Sequence, residues 1–152
     1  MNHWLIKSEP ETYSIDDLER DGKTMWDGVR NFRARNYMKE MKEGDLVPFY
    51  HSSAEPPGVA GVAKVVREAH PDPSQFDKKS KYYDAQSKEA EPRWWLVDVG
   101  FVEKLDRLVS LPEIKAEQAL SDMVLVNNSR LSVQPVTKAE FEKIKRMAKT
   151  ES

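Results

Sequence analysis

Cysteine is absent from the chain, and its absence removes several kinds of chemistry at once. Without cysteine there is no disulfide framework, no thiolate ligand for a metal ion and no thiol nucleophile. The three histidines, His3, His51 and His70, lack the spacing of a metal-ligand motif. We therefore expect no metal and no cofactor, and a location in a reducing compartment, the cytoplasm.

Long hydrophobic runs are missing as well. The hydrophobic fraction is 39% and the mean hydropathy is -0.73, and no run approaches the roughly 18 apolar residues of a membrane helix. The apolar start, Trp4-Leu5-Ile6, is too short for a signal-peptide core and follows no basic region. For a chain of 152 residues we expect one monomeric domain over residues 1–149, a short tail over 150–152 and no membrane association.

The chain has no dominant sign of charge. Its 24 lysines and arginines nearly balance 26 aspartates and glutamates, so the field of the whole molecule would attract a polyanion only weakly. Positive charge is local instead: residues 30–42 hold five basic residues against Glu40, and residues 78–81 form a second basic cluster. A nucleic-acid site would have to use such clusters, although a charge run is as often a solvated face.

Hydrophobic periodicity and turn residues predict a chain of short elements. Apolar or alternating runs predict up to six strands, at residues 4–6, 46–50, 58–66, 94–101, 123–126 and 131–133. Capping residues and apolar spacing predict four helices, at residues 14–22, 31–44, 110–120 and 137–148. The polar segment 70–93 predicts a long functional loop. The pattern indicates an α+β domain whose strongly curved mixed sheet closes into a small barrel flanked by short helices.

Five motifs follow one another along the chain. They are Trp4–Pro10 (WLIKSEP), Trp26–Asn31 (WDGVRN), Tyr50–Ser52 (YHS), Ser80–Asp84 (SKYYD) and Arg130–Pro135 (RLSVQP). In this order they resemble the EVE domain family, and the resemblance covers nearly the whole chain. It implies a PUA-like fold with a cleft that holds a nucleotide in relatives. The expected protein is therefore one that binds nucleic acid, DNA or RNA, and is not an enzyme.

A more distant resemblance concerns the start of the chain. Ile6-Lys7-Ser8 followed by Trp26 is similar to the opening of YTH domains, which hold methylated adenine in an aromatic cage. This similarity implies Lys7, Ser8, Glu9 and Trp26 as pocket residues, while the further tryptophans of the YTH cage have no clear match here. Trp26 also lies outside any periodic apolar run, which favours a pocket wall over core packing.

The chemistry of base recognition adds further candidates. A protein reads a base by stacking it on an aromatic face, here Trp26 or one of Tyr82 and Tyr83, and by hydrogen-bonding its edge. Glu9 would accept from a cytosine amino group, and Asn31 and Gln134 match amide-like edges, with helix capping as the alternative role of Asn31. With the family motifs, the candidate base-binding residues are Lys7, Ser8, Glu9, Trp26, Asn31, Tyr50, His51, Ser52, Tyr82, Ser132 and Gln134. The residues expected to hold phosphates are Arg30, Arg35, Lys39 and Arg130.

Two functions of other classes stay open at this point. A hydrolase would use His51 as base with Ser8 or Ser52 as nucleophile and Asp45 as the acid, but no nucleophile-elbow motif supports it. A protein-interaction module would use the basic face and the 70–93 loop. The sequence predicts foremost a protein that recognises one modified nucleobase in an aromatic and polar pocket.

Overall fold

The computed structural model describes residues 1–128 and 130–149, so the expected tail at 150–152 lies outside the described residues. Within them, six strands form one mixed sheet: β1 His3–Ser8, β2 Lys23–Met25, β3 Leu46–His51, β4 Gly58–Pro71, β5 Trp95–Ser110 and β6 Val133–Val136. The described helices are α1 Ile15–Asp21, α2 Phe32–Glu40, α3 Leu111–Ala116, α4 Val124–Asn127 and α5 Lys138–Met147. The spatial order of the strands is β2-β5-β4-β3-β1-β6, with β1 and β3 parallel and the other neighbours antiparallel.

Side-chain alternation along the strands places a hydrophobic core on each face of the sheet. In β1, Trp4 and Ile6 join the core on one face and Leu5 joins the core on the other. Helices α1 and α2 pack against the first face, and α3 and α5 pack against the second. The sheet is thus the middle layer of the domain, and the end of β1 reaches the rim of this arrangement.

Capping residues begin the main helices where the sequence predicts them. The N-caps are Ser14, Asn31, Ser110 and Thr137. Helix α2 ends at Glu40, ahead of the expected stop at Gly44, because Met41 takes an extended conformation. The described helices are short, with 10 residues in α5, and none of them is long and apolar enough to cross a membrane.

Near the C-terminus, one strand prediction is wrong and a second is shifted along the chain. Residues 123–126 were expected as a strand, but Val124–Asn127 is the single turn of helix α4. The last strand lies at Val133–Val136, two residues beyond its predicted start. Short apolar runs fit one face of a helix as well as a buried strand, so periodicity alone does not separate them. Strand β2, only three residues long, has too little apolar pattern to be predicted.

The predicted barrel does not close. Strands β2 and β6 are the two edges of the sheet, and no pairing within the described part of the chain joins them. Strands β4 and β5 run past their predicted ends, to Pro71 and Ser110, and their pairing contains four register shifts, which bend the sheet strongly. At the edges, β2 has only three residues and β6 contains Pro135, which has no N–H to donate. The result is a curved but open α+β sheet.

One buried carboxylate fixes the start of the loop that the sequence predicts to be functional. The Asp72 side chain is 0% exposed. It accepts hydrogen bonds from the Gly28 N–H at 2.9 Å, from Arg30 Nη1 at 3.1 Å, and from the N–H and hydroxyl of Ser74 at 2.8 and 2.6 Å. Burial opposes ionisation, but these donors outweigh it and lower the pKa of Asp72. The carboxylate therefore ties the 72–93 loop to the connection between β2 and α2.

A buried amide closes the same loop on itself. Gln75 is 0% exposed, and its Nε2 donates to the carbonyl oxygens of Asp72 at 2.7 Å and Trp94 at 2.8 Å. Its Oε1 accepts from the Ser87 hydroxyl and from the Trp94 N–H. These hydrogen bonds join the two ends of the loop to each other and satisfy the buried amide.

The anchoring role of Asp72 predicts a large loss of stability in Asp72→Asn. The substitution removes one member of a buried ion pair and directs an amide at groups that donate, so the free energy of unfolding should fall by about 3 kcal/mol. Urea denaturation measures this loss. Asp16→Asn is the matched control, because Asp16 pairs with Lys104 on the surface at 63% and 53% side-chain exposure and should cost under about 1 kcal/mol. Equal losses in the two variants would contradict the anchor.

The contribution of Asp72 should also depend on pH in one direction. Because folding lowers the pKa of Asp72, its stabilisation is complete above the unfolded pKa of about 3.9 and is lost as the pH falls through the lower folded value. The difference in unfolding free energy between the native chain and Asp72→Asn should stay constant from about pH 7 to about pH 5 and shrink below about pH 4. Urea titrations across this range test it, and a difference that grows on acidification would refute it.

Candidate functional site

A cleft of about 450 Å³ opens at the end of β1, beside the loop that Asp72 anchors. This volume falls within the range of small-molecule sites, about 300–1,000 Å³. Four segments line it: the end of β1 with the turn after it, β2 with its connection to α2, the 72–93 loop, and the residue before β6. In that order the lining residues are Lys7, Ser8, Glu9, Thr12 and Tyr13, then Thr24, Met25, Trp26, Asp27, Gly28, Val29 and Arg30, then Lys81 and Tyr82, and finally Ser132.

The Trp26 ring is one aromatic wall of the cleft. Its backbone N–H donates to the Val97 carbonyl at 2.9 Å, which extends the pairing of β2 with β5. The half-buried ring meets Phe49 edge-on at 5.4 Å and Tyr13 edge-on at 6.2 Å. Sequence position favoured a pocket wall over core packing for Trp26, and it did not reveal the contact with Phe49, which comes from another strand. The ring packs on the core and lines the cleft.

Tyr82 is the second aromatic residue of the cleft, and Gly28 makes room for it. Gly28 has a φ of +83°, and a Cβ at this position would lie 2.5 Å from the Tyr82 ring, so glycine is required both for the backbone conformation and for the close approach. Arg30 holds the backbone of Tyr82, with Nη2 donating to its carbonyl at 2.8 Å. Since Gly28 and Arg30 both bind Asp72, this buried carboxylate positions the Tyr82 wall.

The cleft contains a basic and an acidic side chain, Lys7 and Asp27, whose pKa values both depart from their ordinary values. Burial lowers the pKa of Lys7, whose Nζ lies 5.5 Å from the centre of the Tyr50 ring. Partial desolvation and the Asp72 carboxylate raise the pKa of Asp27, which solvent still reaches, against the opposing influence of Arg30 and Lys81. Groups of opposite charge in one small cleft suit a ligand that both donates and accepts hydrogen bonds.

The hydroxyl groups of two cleft-lining residues are held by the protein. Ser8 Oγ donates to the Tyr13 carbonyl at 2.7 Å, and the Tyr13 hydroxyl donates to Asp21 at 2.9 Å. Burial, together with the hydrogen bond to Asp21, raises the pKa of Tyr13 to about 12, so the phenol stays neutral. These bonds fix the turn between β1 and α1 and, with it, the shape of the cleft.

Six of the eleven predicted base-binding residues line this one cleft. They are Lys7, Ser8, Glu9, Trp26, Tyr82 and Ser132. Antiparallel pairing of β1 with β6 places Ser132 beside Lys7, whose N–H donates to the Ser132 carbonyl at 3.1 Å. The bonds of Arg30 to Asp72 and Tyr82 join the segment after Trp26 to the 72–93 loop. The binding role of the six residues stays a prediction, while their juxtaposition is a property of the structure.

Three more of the predicted residues, Tyr50, His51 and Ser52, make structural contacts outside the cleft lining. Tyr50 is buried in the core of the second face. His51 Nε2 accepts the backbone N–H of Ile15 at 3.1 Å, and burial lowers the pKa of His51, which suits a neutral ring that accepts at the start of α1. The Ser52 N–H donates to the Ser8 carbonyl at 2.9 Å. Their part is to hold the end of β1 and the start of α1.

The two predicted amides also act within the fold. Asn31 Oδ1 accepts the Ala34 N–H at 2.9 Å, so Asn31 caps α2, which is the alternative role expected from the sequence. Gln134 is fully buried, and its Nε2 donates to the Leu131 carbonyl at 2.7 Å. Neither side chain lines the cleft.

Of the predicted phosphate-binding residues, only Arg30 lines the cleft. Arg35 donates to the Arg93 carbonyl at 2.8 Å, and Lys39 lies 5.0 Å from the centre of the Trp95 ring. Arg130 is exposed, just before the segment that enters β6. Arg35 and Lys39 thus form a surface on α2 that is separate from the cleft itself.

The sequence analysis missed residues that shape the site. Asp27 and Gly28 lie inside the WDGVRN motif, and the motif therefore held a usable signal for both. Asp72 has no comparable signal, because its partners Gly28 and Arg30 are 44 and 42 residues away. Only the folded chain shows that a polar residue at the end of β4 organises the cleft.

The arrangement proposed for hydrolysis is not assembled among the described residues. Ser8 Oγ and His51 Nε2 bond to backbone groups of the turn and α1, and Asp45 accepts the Trp4 indole N–H at 3.0 Å in a different part of the molecule. Within residues 1–128 and 130–149, no group of three His, Asp or Glu side chains is placed to hold a metal ion.

Residues 2–147 match the EVE domain family. Thymocyte nuclear protein 1 of Homo sapiens is 46% identical over 160 aligned positions, which cover 93% of this chain and 71% of that protein. The relative is therefore longer, and the shared part is nearly the whole of this chain.

Solved structures agree with this match. The human THYN1 protein, in complex with 5-methylcytosine-containing DNA, superposes with a TM-score of 0.95 at 42% identity and covers 100% of both chains. A hypothetical protein from Leishmania major superposes with a TM-score of 0.94 at 47% identity over 97% of this chain and 94% of that one. The family match and the shared fold both extend along almost the entire chain, which therefore belongs to the EVE domain family.

Proposed function

We propose that this protein binds nucleic acid and holds one modified base, taken out of its stack, in the cleft at the end of β1. The observation that supports this proposal is that Trp26 and Tyr82 line one cleft of about 450 Å³ together with Lys7, Ser8 and Glu9. A flat aromatic wall beside a few fixed polar groups is what recognition of an extruded base requires.

The relative solved with 5-methylcytosine-containing DNA supports a modified cytosine in DNA as the ligand, since that structure matches this chain over its full length. The cleft has matching chemistry. The carboxylates of Glu9 and Asp27 are suited to accept from the cytosine amino group, and Met25 with Trp26 offers apolar contact for a methyl group. The alternative ligand is the same base in RNA. Comparing the affinities of the deoxyribonucleoside and the ribonucleoside tests it.

Binding without turnover is part of the proposal. The serine, histidine and aspartate required by the hydrolase alternative are engaged in contacts that hold the fold together. A protein-interaction module would bind without the steep salt dependence that phosphate contacts produce. The cytoplasmic location and the monomeric state expected from the sequence stay predictions.

Removing the aromatic wall should remove base affinity. Trp26→Ala should weaken binding of 5-methyl-2′-deoxycytidine by about 5- to 150-fold per folded molecule, because stacking contributes about 1–3 kcal/mol. The variant should also lose stability through its contact with Phe49. Isothermal titration with thermal unfolding on the same sample separates the two effects.

The matched variants for this experiment are Trp26→Phe and Trp95→Ala. Trp26→Phe keeps an aromatic face and should keep most of the affinity. Trp95 is a half-buried tryptophan outside the cleft lining, so Trp95→Ala should lose stability and leave nucleoside affinity unchanged. If Trp26→Ala binds the nucleoside as the native chain does, the cleft is not the base site.

Two glycines with similar positive φ angles give a sharper test of the Tyr82 wall. Gly28 has a φ of +83° and Gly22 has a φ of +79°, but only a Cβ at Gly28 would collide with Tyr82, while Gly22 has nothing within 4 Å. Gly28→Ala and Gly22→Ala should both lose about 1–2 kcal/mol of stability to backbone strain. Only Gly28→Ala should weaken nucleoside binding, and equal binding by both variants would exclude Tyr82 from the site.

A further inference from the structure

An exposed aromatic and cationic surface lies beside the cleft without lining it. We call it the Phe32 surface and define it as Phe32, Arg35, Arg93 and Trp94. Phe32 begins α2 and is 48% exposed, and its ring stacks on buried Trp94 with centroids 4.8 Å apart and planes 20° apart. Burial accounts for the position of Trp94, which is 5% exposed. It does not account for Phe32, which leaves about half of its surface in water.

Two guanidinium groups accompany the exposed ring. The Cζ atoms of Arg35 and Arg93 lie 4.8 and 5.6 Å from the centre of the Phe32 ring. Both groups are tethered: Arg35 Nη1 donates to the Arg93 carbonyl at 2.8 Å, and Arg93 Nη1 donates to Gln86 Oε1 at 2.8 Å. The surface is therefore preorganised, so a ligand that stacks on it would lose little freedom of the protein on binding.

The cations that helix α2 contributes to this side of the molecule have no ion-pair partner within the described residues. Arg35 donates to neutral oxygens, those of Asn36 and the Arg93 backbone. Arg33 and Lys39, on the same helix, lie over the rings of Tyr37 and Trp95, and no ion pair in the described part of the chain involves any of these three cations. Arg93, the other cation beside the ring, pairs with Asp84 at 3.4 Å. The three cations of α2, which have no such carboxylate, complement a phosphate chain that carries bases.

Arg30 connects this surface to the cleft. Its Cζ lies 5.4 Å from the centre of the Tyr82 ring and 5.3 Å from the centre of the Trp94 ring. Tyr82 is a cleft wall, and Trp94 is the ring on which Phe32 stacks. Contacts of about 5 Å therefore run from the Tyr82 ring through Arg30 and Trp94 to the Phe32 ring, and they connect the cleft to the Phe32 surface.

We propose that the Phe32 surface is a second nucleotide subsite, which holds the nucleotide adjacent to the base in the cleft. The neighbouring base stacks on the guanidinium planes that the Phe32 ring supports, while Arg33, Arg35 and Lys39 contact its phosphates. The partner is an unpaired segment of a nucleic-acid strand. This subsite rests on the proposed function, because its position has meaning only if the cleft holds a base of the same strand.

The test compares a nucleoside with a strand. The probes are 5-methyl-2′-deoxycytidine and a fluorescent single strand of about nine nucleotides with one central 5-methylcytosine, a length within the range of single-strand sites. Phe32→Ala should bind the nucleoside as the native chain does and bind the strand about 5- to 150-fold more weakly, the range that stacking of one base supplies. Phe32→Leu, which keeps the bulk over Trp94, should show the same loss for the strand and so exclude misfolding as its cause.

The matched control is Val102→Ala, because Val102 is also exposed, at 41%, and lies on β5 outside the cleft lining. It should bind both probes normally. If Phe32→Ala and Phe32→Leu bind the strand normally, or lose the nucleoside and the strand equally, the second subsite is refuted while the cleft stands. If the native chain binds neither probe, the proposed function itself fails.

The charge on the surface gives an independent measurement. Arg33→Gln combined with Arg35→Gln should lower strand affinity and reduce the slope of log affinity against log salt by roughly one to two, with nucleoside affinity unchanged. Lys138→Gln combined with Lys115→Gln, two cations on the far helices, should leave the slope as it is. A poly-glutamate peptide that displaces the strand at equal charge would show that the surface takes acidic protein segments, which would overturn the proposal.

Discussion

The buried Asp72 carboxylate is the interaction on which the site depends. It is the one acceptor shared by the backbone of Gly28, the guanidinium of Arg30 and the start of the 72–93 loop. Burying a charge is costly, and the cost is offset only because hydrogen-bond donors surround it. These hydrogen bonds fix the turn at Gly28, and the Tyr82 ring lies against that turn. They also hold Arg30 between the rings of Tyr82 and Trp94.

Local signals in the sequence were enough for much of the fold. Ser14, Ser110 and Thr137 begin helices because a capping side chain needs only neighbours three residues away. Signals that depend on pairing were weaker. Val124–Asn127 forms a helix where the apolar run 123–126 suggested a strand, and the edges β2 and β6 leave open a sheet that was expected to close.

The same contrast between local signals and long-range pairing applies to the site. The resemblance to YTH domains implied Lys7, Ser8 and Trp26 as pocket residues, and the structure places all three in the lining of one cleft. His51 and Gln134 are polar residues whose type suits binding, yet their hydrogen bonds go to backbone groups of the fold. Residue type does not reveal which partner a polar side chain takes, since that partner comes from another segment. Asp72 shows the converse, a residue without any sequence motif that organises the cleft.

The central claim is that one modified base enters the cleft beside Trp26, and the four tryptophans of the chain provide direct probes. The indole N–H groups of Trp4, Trp94 and Trp95 donate to Asp45, Asp84 and Pro92 within the fold, whereas the Trp26 ring lines the cleft. A ¹⁵N-resolved NMR titration with 5-methyl-2′-deoxycytidine should shift the indole resonance of Trp26 and the amide of Gly28, and leave the Trp4 indole unchanged. Saturable shifts that leave Trp26 and Gly28 unmoved and appear elsewhere would contradict the account.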